Sequence, residues 1–392
     1  MSLTQNHPLK KGVLMNMPVE LSQENKSFAT LLEYIKQIHD PRMQKKITYP
    51  LSSIIVISLC AFIAGSNNCV EIAQYAKERK QWLKKYFNIE CGFPSHDTIN
   101  RVFSLINPKE FNYWMTKWLK SLFPESDVIN IDGKVIKSYS SNDPLTLVRA
   151  WSSNCKIVLA QIKVSYDSNE ITAIPKLLDM LDLKGKIITI DAIGTQKKIT
   201  AQLVDKEAYY CLALKGNQHL FYQDIKLFLD SMSNSEFENV NYTYYETFDT
   251  AHGRRETRRC WSTNNISWLE QMQEWKGLRS ISVVESTVIK NGKTSINRRY
   301  FISNLEADAS NILRIIRSHW SIENQLHWHL DVTLNEDKSS IKGIFVSQNI
   351  SLLRSIIISL LSLLPIEAGF NRKRQTVNRR PSLLKKILLK SG

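Results

Sequence analysis

The stretch SHWSIENQLHWHLD, from Ser318 to Asp331, concentrates groups that bind metals, move protons or stack on bases. His319, Glu323, His327 and Asp331 recur every fourth residue. On an α-helix of about 3.6 residues per turn they form one slowly drifting stripe. Ile322, Leu326 and Leu330 form a second stripe beside it, the apolar face of a packed helix. Glu323 therefore falls where a buried face meets a polar one, which suits a metal ion or a phosphate. Zinc on His319, Glu323 and His327 is one reading. It lacks the HExxH spacing and would draw all three ligands from one helix. His319 and His327 serve equally well as phosphate contacts, as groups orienting Glu323, or as structural histidines. Trp320 and Trp328 are core residues or platforms for an unstacked base.

Two aspartates belong with Glu323. Asp132 closes the apolar run VINIDGK, and Asp191 closes KIITIDAIG. An aspartate at the end of a buried strand projects where ligands collect in open α/β sheets, although one alone often just caps a turn. Strand-Asp, strand-Asp, helix-Glu in that order resembles the ribonuclease H-like fold of polynucleotidyl transferases. Three converging carboxylates would hold Mg²⁺, a hard cation that prefers oxygen ligands, with Mn²⁺ as a substitute. Glu170, Asp331, Glu336 and Asp337 rank below these three. Lys134 shares a strand face with Asp132 and could meet a phosphate. Lys215, Asn217 and Gln218 in LKGNQ, and Arg254, Arg255 and Arg258 in GRRETRR, are further candidate DNA contacts or plain turn and surface residues.

The elements that must position these groups follow from periodicity. Residues 1–26 read as a flexible N-terminus. Residues 27–124 read as a helical domain with a basic outer face along VEIAQYAKERKQWLKKYF. GFPSHDTINRVF brings helix-start residues after that basic helix, which fits a helix-turn-helix or an ordinary bundle equally. From Asp127 strands and helices alternate, which predicts an α/β sheet over 125–370. Within it, about 237–305 is a β-rich insertion, with strands such as RRETRRCWST and RRYFISNL. Residues 371–392 form a basic tail.

The 392-residue chain carries 52 Lys and Arg against 37 Asp and Glu, a formal charge of +15, and the basic residues cluster. Such clustering favours a polyanion partner. From Gly369 onward no acidic residue occurs. Cysteines 60, 69, 91, 155, 211 and 260 show no CxxC pair, as expected of reduced thiols in the cytoplasm. The N-terminus lacks a signal-peptide core. LSSIIVISLCAFIAG is too short for a membrane span, and SLLRSIIISLLSLLP is broken by Arg354, so both predict buried helices.

The chain resembles bacterial insertion-sequence DDE transposases of the H-repeat-associated family. The matching stretches include YPLSSIIVISLCAFIAG, GFPSHDTINRVF, IDGKVIKS, SNEITAIPKLLDMLDLKG, TIDAIGTQKKI, YCLALKGNQ, HGRRETR and RSHWSIENQLHWHLDVTLNED. The resemblance implies a catalytic, metal-binding triad of Asp132, Asp191 and Glu323. It implies divalent-metal-dependent cleavage at element ends and strand transfer into target double-stranded DNA, by a homodimer in the DNA complex. The sequence departs from related transposases at Ile316, His319 and Leu330, where Tyr, Arg and Lys are common, and at Asp167 and Ser340, where basic residues are usual. A weakened or inactive DNA-binding relative, a plain metal-dependent nuclease and a zinc hydrolase are the rival readings.

Overall fold

The computed structural model describes residues 27–90, 92–123, 126–137, 145–233, 240–251, 253–339 and 341–388. The expected flexible segment 1–26, Cys91 and Ser340 lie outside these residues. The first described segments are helical: Ser27–Lys36, Leu51–Ala64, Cys69–Glu78, Lys80–Phe87, His96–Leu105 and Pro108–Ser121. Their starts follow from side chains that satisfy the free backbone donors of a first turn. Asn68 accepts from the Glu71 amide, Ser95 from Thr98, and Asn107 from Lys109 with Pro108 next. Each such cap stabilises a helix by about 1 kcal/mol. No tight helix-turn-helix forms at the expected place. The segment between Phe87 and His96 is longer than the 3–4-residue turn of that motif, and His96–Leu105 packs on Cys69–Glu78 and Ile344–Ser362.

Nine strands follow among the described residues: β1 Val128–Ile136, β2 Leu145–Ser152, β3 Ile157–Lys163, β4 Ile187–Ile190, β5 Tyr209–Leu214, β6 Thr243–Ala251, β7 Arg254–Thr263, β8 Ser280–Lys290 and β9 Lys293–Ser303. They form one mixed sheet in the order β3-β2-β1-β4-β5-β9-β8-β7-β6. β2 runs antiparallel to both β1 and β3, while β4 and β5 run parallel to β1. The α/β expectation therefore holds. The expected β-rich insertion does not form a separate sheet: β9 pairs with β5 and carries β8, β7 and β6 outward. Helices Glu170–Asp179, Lys197–Asp205 and His219–Ser233 fill the connections, the last of which sequence periodicity left unassigned.

Strand alternation sorts the two faces. Ile129, Ile131, Ile188, Ile190, Tyr210 and Leu212 point into the main core. That core runs from Leu31 to Leu388 and includes most of the 19-residue helix Ile344–Ser362. This helix is long and apolar enough to cross a membrane, but most of its side chains are buried inside the protein. Val128, Cys211, Phe301 and Val284 point to the opposite face, where helix Ala309–Ser321 packs with Ile312, Leu313, Ile315 and Ile316.

The expected basic tail is partly built into this core. Phe370–Arg379 and Ser382–Leu388 are helices. Lys373 donates to the Leu361 and Leu364 carbonyls at the end of Ile344–Ser362. Arg374 donates to the carbonyls of Phe62, Ser66 and Thr333. Both side chains neutralise helix C-termini, where a cation satisfies orphan carbonyls and complements the helix dipole. They are therefore unavailable to DNA, whereas Arg372, Arg379, Arg380 and Lys386 are exposed.

Candidate active site

The parallel pairing of β1 with β4 places Ile131 opposite Ile190. Asp191, just past the end of β4, thus lies beside Asp132 in the middle of β1, both on the face covered by helix Ala309–Ser321. Polar bonds fix that helix. Thr189 Oγ1 donates to Asn130 Oδ1 at 2.8 Å and meets His319 Nδ1 at 2.8 Å. Ser318 Oγ also donates to Asn130 Oδ1, and Trp151 Nε1 donates to Ser321 Oγ. The helix then changes pitch. Ile322–His327 is a π-turn, with the Trp328 amide bonded to the Glu323 carbonyl. The expected α-helical stripe is interrupted there, and π-turns recur at functional sites because they re-aim side chains.

Asp132, Asp191, Glu323, His319, Lys215 and Arg299 line one pocket of about 540 Å³. Asp132, Glu323 and His327 bring one ligand atom each to within 4.8 Å of one another. His327 Nδ1 lies 3.5 Å from Asp132 Oδ2 and 4.0 Å from Glu323 Oε2. Asp191 faces the same pocket beside this trio, its carboxylate accepting from the Gly194 amide at 3.4 Å. No lysine or arginine pairs with Asp132, Asp191 or Glu323 among the described residues. Burial, then the charges of Glu323 and Asp191, push the Asp132 carboxyl up to about 8. Glu170 closes in from the opposite face: a Cβ at Gly133 would overlap its carboxylate. Burial, followed by Asp191, raises its carboxyl as well. A divalent cation fits this donor set, because it would relieve four crowded carboxylates that have no cationic partner.

The zinc reading on His319, Glu323 and His327 fails on geometry, since the clustered ligand atoms are those of Asp132, Glu323 and His327. His319 spends Nδ1 on Thr189 and stands outside the trio. Burial and the nearby Arg299 guanidinium hold its ring down at about 4, so it is neutral. Burial, then Arg149 and Lys134, push His327 well below the usual imidazole range.

Several expected DNA contacts have other roles. Lys134 is 8% exposed and bonds Asp331 at 2.7 Å, Asp337 at 3.3 Å and Glu336 at 3.5 Å. It ties β1 to the chain after Glu323 and is not free for a phosphate. Arg149 and Glu336, both fully buried, pair beneath it at 3.5 Å, and Ser351 Oγ bonds both. Asn217 Nδ2 donates to the Ala192 carbonyl and Gln218 Nε2 to that of Thr195, bracing the loops after β4 and β5. Lys215 lines the pocket. Leu330 and Ile316 are buried, and Asp167 sits on an exposed turn.

A second cleft of about 520 Å³ adjoins the pocket, lined by Arg254, Arg258, Arg299, Arg317 and Trp320. Strand alternation sends Arg255 to the other face. Glu256 pairs with Arg254 and Arg258, and Asp249 with Arg258 and Arg317. Arg299, by contrast, has no carboxylate partner among the described residues and stacks 4.3 Å over the exposed Trp320 ring. It lines both cavities, and sequence reading missed it. Its only signal was the alternation of Asn297, Arg299 and Phe301 on one face of β9.

A carboxylate pocket at the edge of a mixed α/β sheet defines the class as a candidate metal-dependent site. Family comparison gives the assignment. The model described as "Transposase DDE domain" matches residues 146–360, and "DDE_Tnp_1-associated" matches 32–119. The chain belongs to the DDE transposase family, in agreement with its H-repeat-associated resemblance. It is 37% identical over 374 residues to "Putative transposase YncI" of Escherichia coli O157:H7, covering 92% of this chain and 95% of the relative. It is 35% identical over 376 residues to "H repeat-associated putative transposase YhhI" of Escherichia coli strain K12, covering 92% and 98%. A solved piggyBac transposase synaptic complex with hairpin DNA aligns at TM-score 0.43 and 11% identity, covering 93% of this chain and 78% of that one.

Proposed function

We propose that this protein cleaves and joins DNA strands at the ends of a mobile element, using divalent metal held by Asp132, Asp191 and Glu323. One observation carries this reading: three carboxylates share a pocket, and none of them is paired with a lysine or arginine among the described residues. A bound divalent ion would supply the charge that activates a water or 3′-hydroxyl and stabilises the leaving oxygen. Magnesium is the expected ion and manganese a substitute. The strand order β3-β2-β1-β4-β5, with β2 antiparallel to β1 and β3 and with β4 and β5 parallel to β1, supports a ribonuclease H-like catalytic core.

The protein's own groups would do the rest. Lys215 and Arg299, both facing the pocket without a carboxylate partner, would hold the phosphate beside the scissile bond. The arginine-lined cleft would lead the strand to that phosphate, with the Arg299–Trp320 stack at its sill. Neutral His319 would keep its ring on Thr189 and offer no competing positive charge.

The test is a supercoiled plasmid carrying the DNA that flanks this reading frame, incubated with protein in Mg²⁺, Mn²⁺, Zn²⁺ or EDTA. Nicked or linear product at the element boundary in Mg²⁺ or Mn²⁺, followed by joined product, is expected. Cleavage in Zn²⁺ alone would overturn the reading, as would no cleavage in any metal despite DNA binding.

A further inference from the structure

We infer that His327 is a direct nitrogen donor to the divalent ion, making a mixed oxygen–nitrogen site with Asp132 and Glu323. The inference rests on the metal reading above and goes beyond its three carboxylates.

Geometry carries it. The π-turn presents His327 to the same point as Glu323, and β1 brings Asp132 to it from the other side. The distances from His327 Nδ1, 3.5 Å to Asp132 and 4.0 Å to Glu323, are too long for good hydrogen bonds. They match donors around one ion. Ligands about 2.1 Å from a six-coordinate metal lie roughly 3.0 Å apart when adjacent and 4.2 Å apart when opposite. The ring is also unexplained as a structural histidine. It is 5% exposed, and Nε2 has no hydrogen-bond partner. A buried structural imidazole normally satisfies at least one nitrogen with a well-formed bond. Here one nitrogen is orphaned and the other looks into a gap between two carboxylates.

The chemical consequence is metal preference. Oxygen donors suit Mg²⁺, Ca²⁺ and Mn²⁺, whereas an imidazole favours transition metals. The site should therefore bind Mn²⁺ more tightly than Mg²⁺ or Ca²⁺. Loss of outer-shell partners alone weakens metal sites about 10–100-fold, so removing a direct donor should cost at least ~10-fold in Mn²⁺ affinity.

The test uses the full chain with Mn²⁺ alone in a nitrogen-free buffer, read by electron spin echo modulation. A histidine ¹⁴N coupling is expected, replaced by the ¹⁵N pattern when the unmodified protein carries ¹⁵N-histidine. His327→Gln should lose it and His329→Gln should keep it. The isotope experiment needs no substitution, so it stands even if His327→Gln fails to fold. Mn²⁺ uptake that requires Asp132 and Glu323 but shows no histidine coupling overturns the inference and leaves the carboxylate site standing. Uptake unaffected by both Asp132→Asn and Glu323→Gln overturns the carboxylate reading and this inference together.

Discussion

Replacing Asp132 with asparagine should stabilise the metal-free protein, by an amount that grows with pH. Burial, then Glu323 and Asp191, raise the Asp132 carboxyl from 3.8 to about 8. A carboxyl raised in the folded state favours its neutral form there. Its contribution to stability is full below the unfolded value near 3.8, falls as pH rises toward about 8, and is level above that. At pH 7 roughly 3 units of this window have been crossed, at about 1.4 kcal/mol each, so the loss reaches roughly 4 kcal/mol. Asparagine has no charge to bury but still desolvates an amide, so it recovers roughly 2–4 kcal/mol. With an unfolding entropy of about 2 cal/mol/K per residue, Tm should rise by roughly 3–5 °C at pH 7 and by less than ~2 °C at pH 5. Thermal unfolding in EDTA from pH 5 to 9 reads this directly. Added Mn²⁺ should stabilise the unaltered protein more as pH rises, because metal and proton compete for the carboxylate. It should not stabilise the variant. A variant less stable than the parent at pH 8 in EDTA, or a pH-independent difference, would refute the reasoning.

Three more outcomes follow from the contacts around the pocket. Glu336→Ala strands the Arg149 guanidinium, fully buried and paired with it at 3.5 Å, and should cost about 3–5 kcal/mol in chemical denaturation; unchanged stability would contradict the pairing. Lys134→Met should leave the salt slope of DNA affinity unchanged because three carboxylates already hold that ammonium, whereas Lys215→Ala should lower it by about 1; the reverse pattern would reassign them. Arg374→Met removes bonds to the Phe62, Ser66 and Thr333 carbonyls and should cost about 3 kcal/mol or more with little change in DNA affinity; lost affinity at full stability would make it a DNA contact.

What the sequence made legible is what short-range pattern encodes. Asp132 and Asp191 stood out because each ends an apolar β-branched run, and Glu323 because it borders a helical apolar stripe. Partners distant in the chain were not legible. Lys134 looked free because its carboxylates lie about 200 residues later. Arg374 looked like a tail charge because the carbonyls it caps at Phe62 and Ser66 lie about 310 residues earlier, and Lys373 because folding back onto the end of Ile344–Ser362 leaves no local periodic signal. The joining of β9 to β5 depends on register between segments separated by a helix and three strands, which no local period records. The π-turn was invisible because reading every fourth residue assumes uniform α-helical pitch. On that pitch His327 reads as a zinc ligand with His319 and Glu323, a phosphate contact, a group orienting Glu323 or a structural ring, and not as a neighbour of Asp132.

The shared carboxylate pocket is tested most directly by separating cleavage from binding in Asp132→Asn, Asp191→Asn and Glu323→Gln. Each variant keeps side-chain size and removes one negative ligand. Cleavage of end-labelled flanking DNA in Mg²⁺ would be measured beside a gel shift on the same fragment. Each variant should lose cleavage and bind DNA as well as the parent or better, since a carboxylate near phosphate is gone. A double variant should be no worse than either single one, because all act on one site. Substantial cleavage by any of the three would contradict the account and turn attention to Glu170, the fourth carboxylate at this edge.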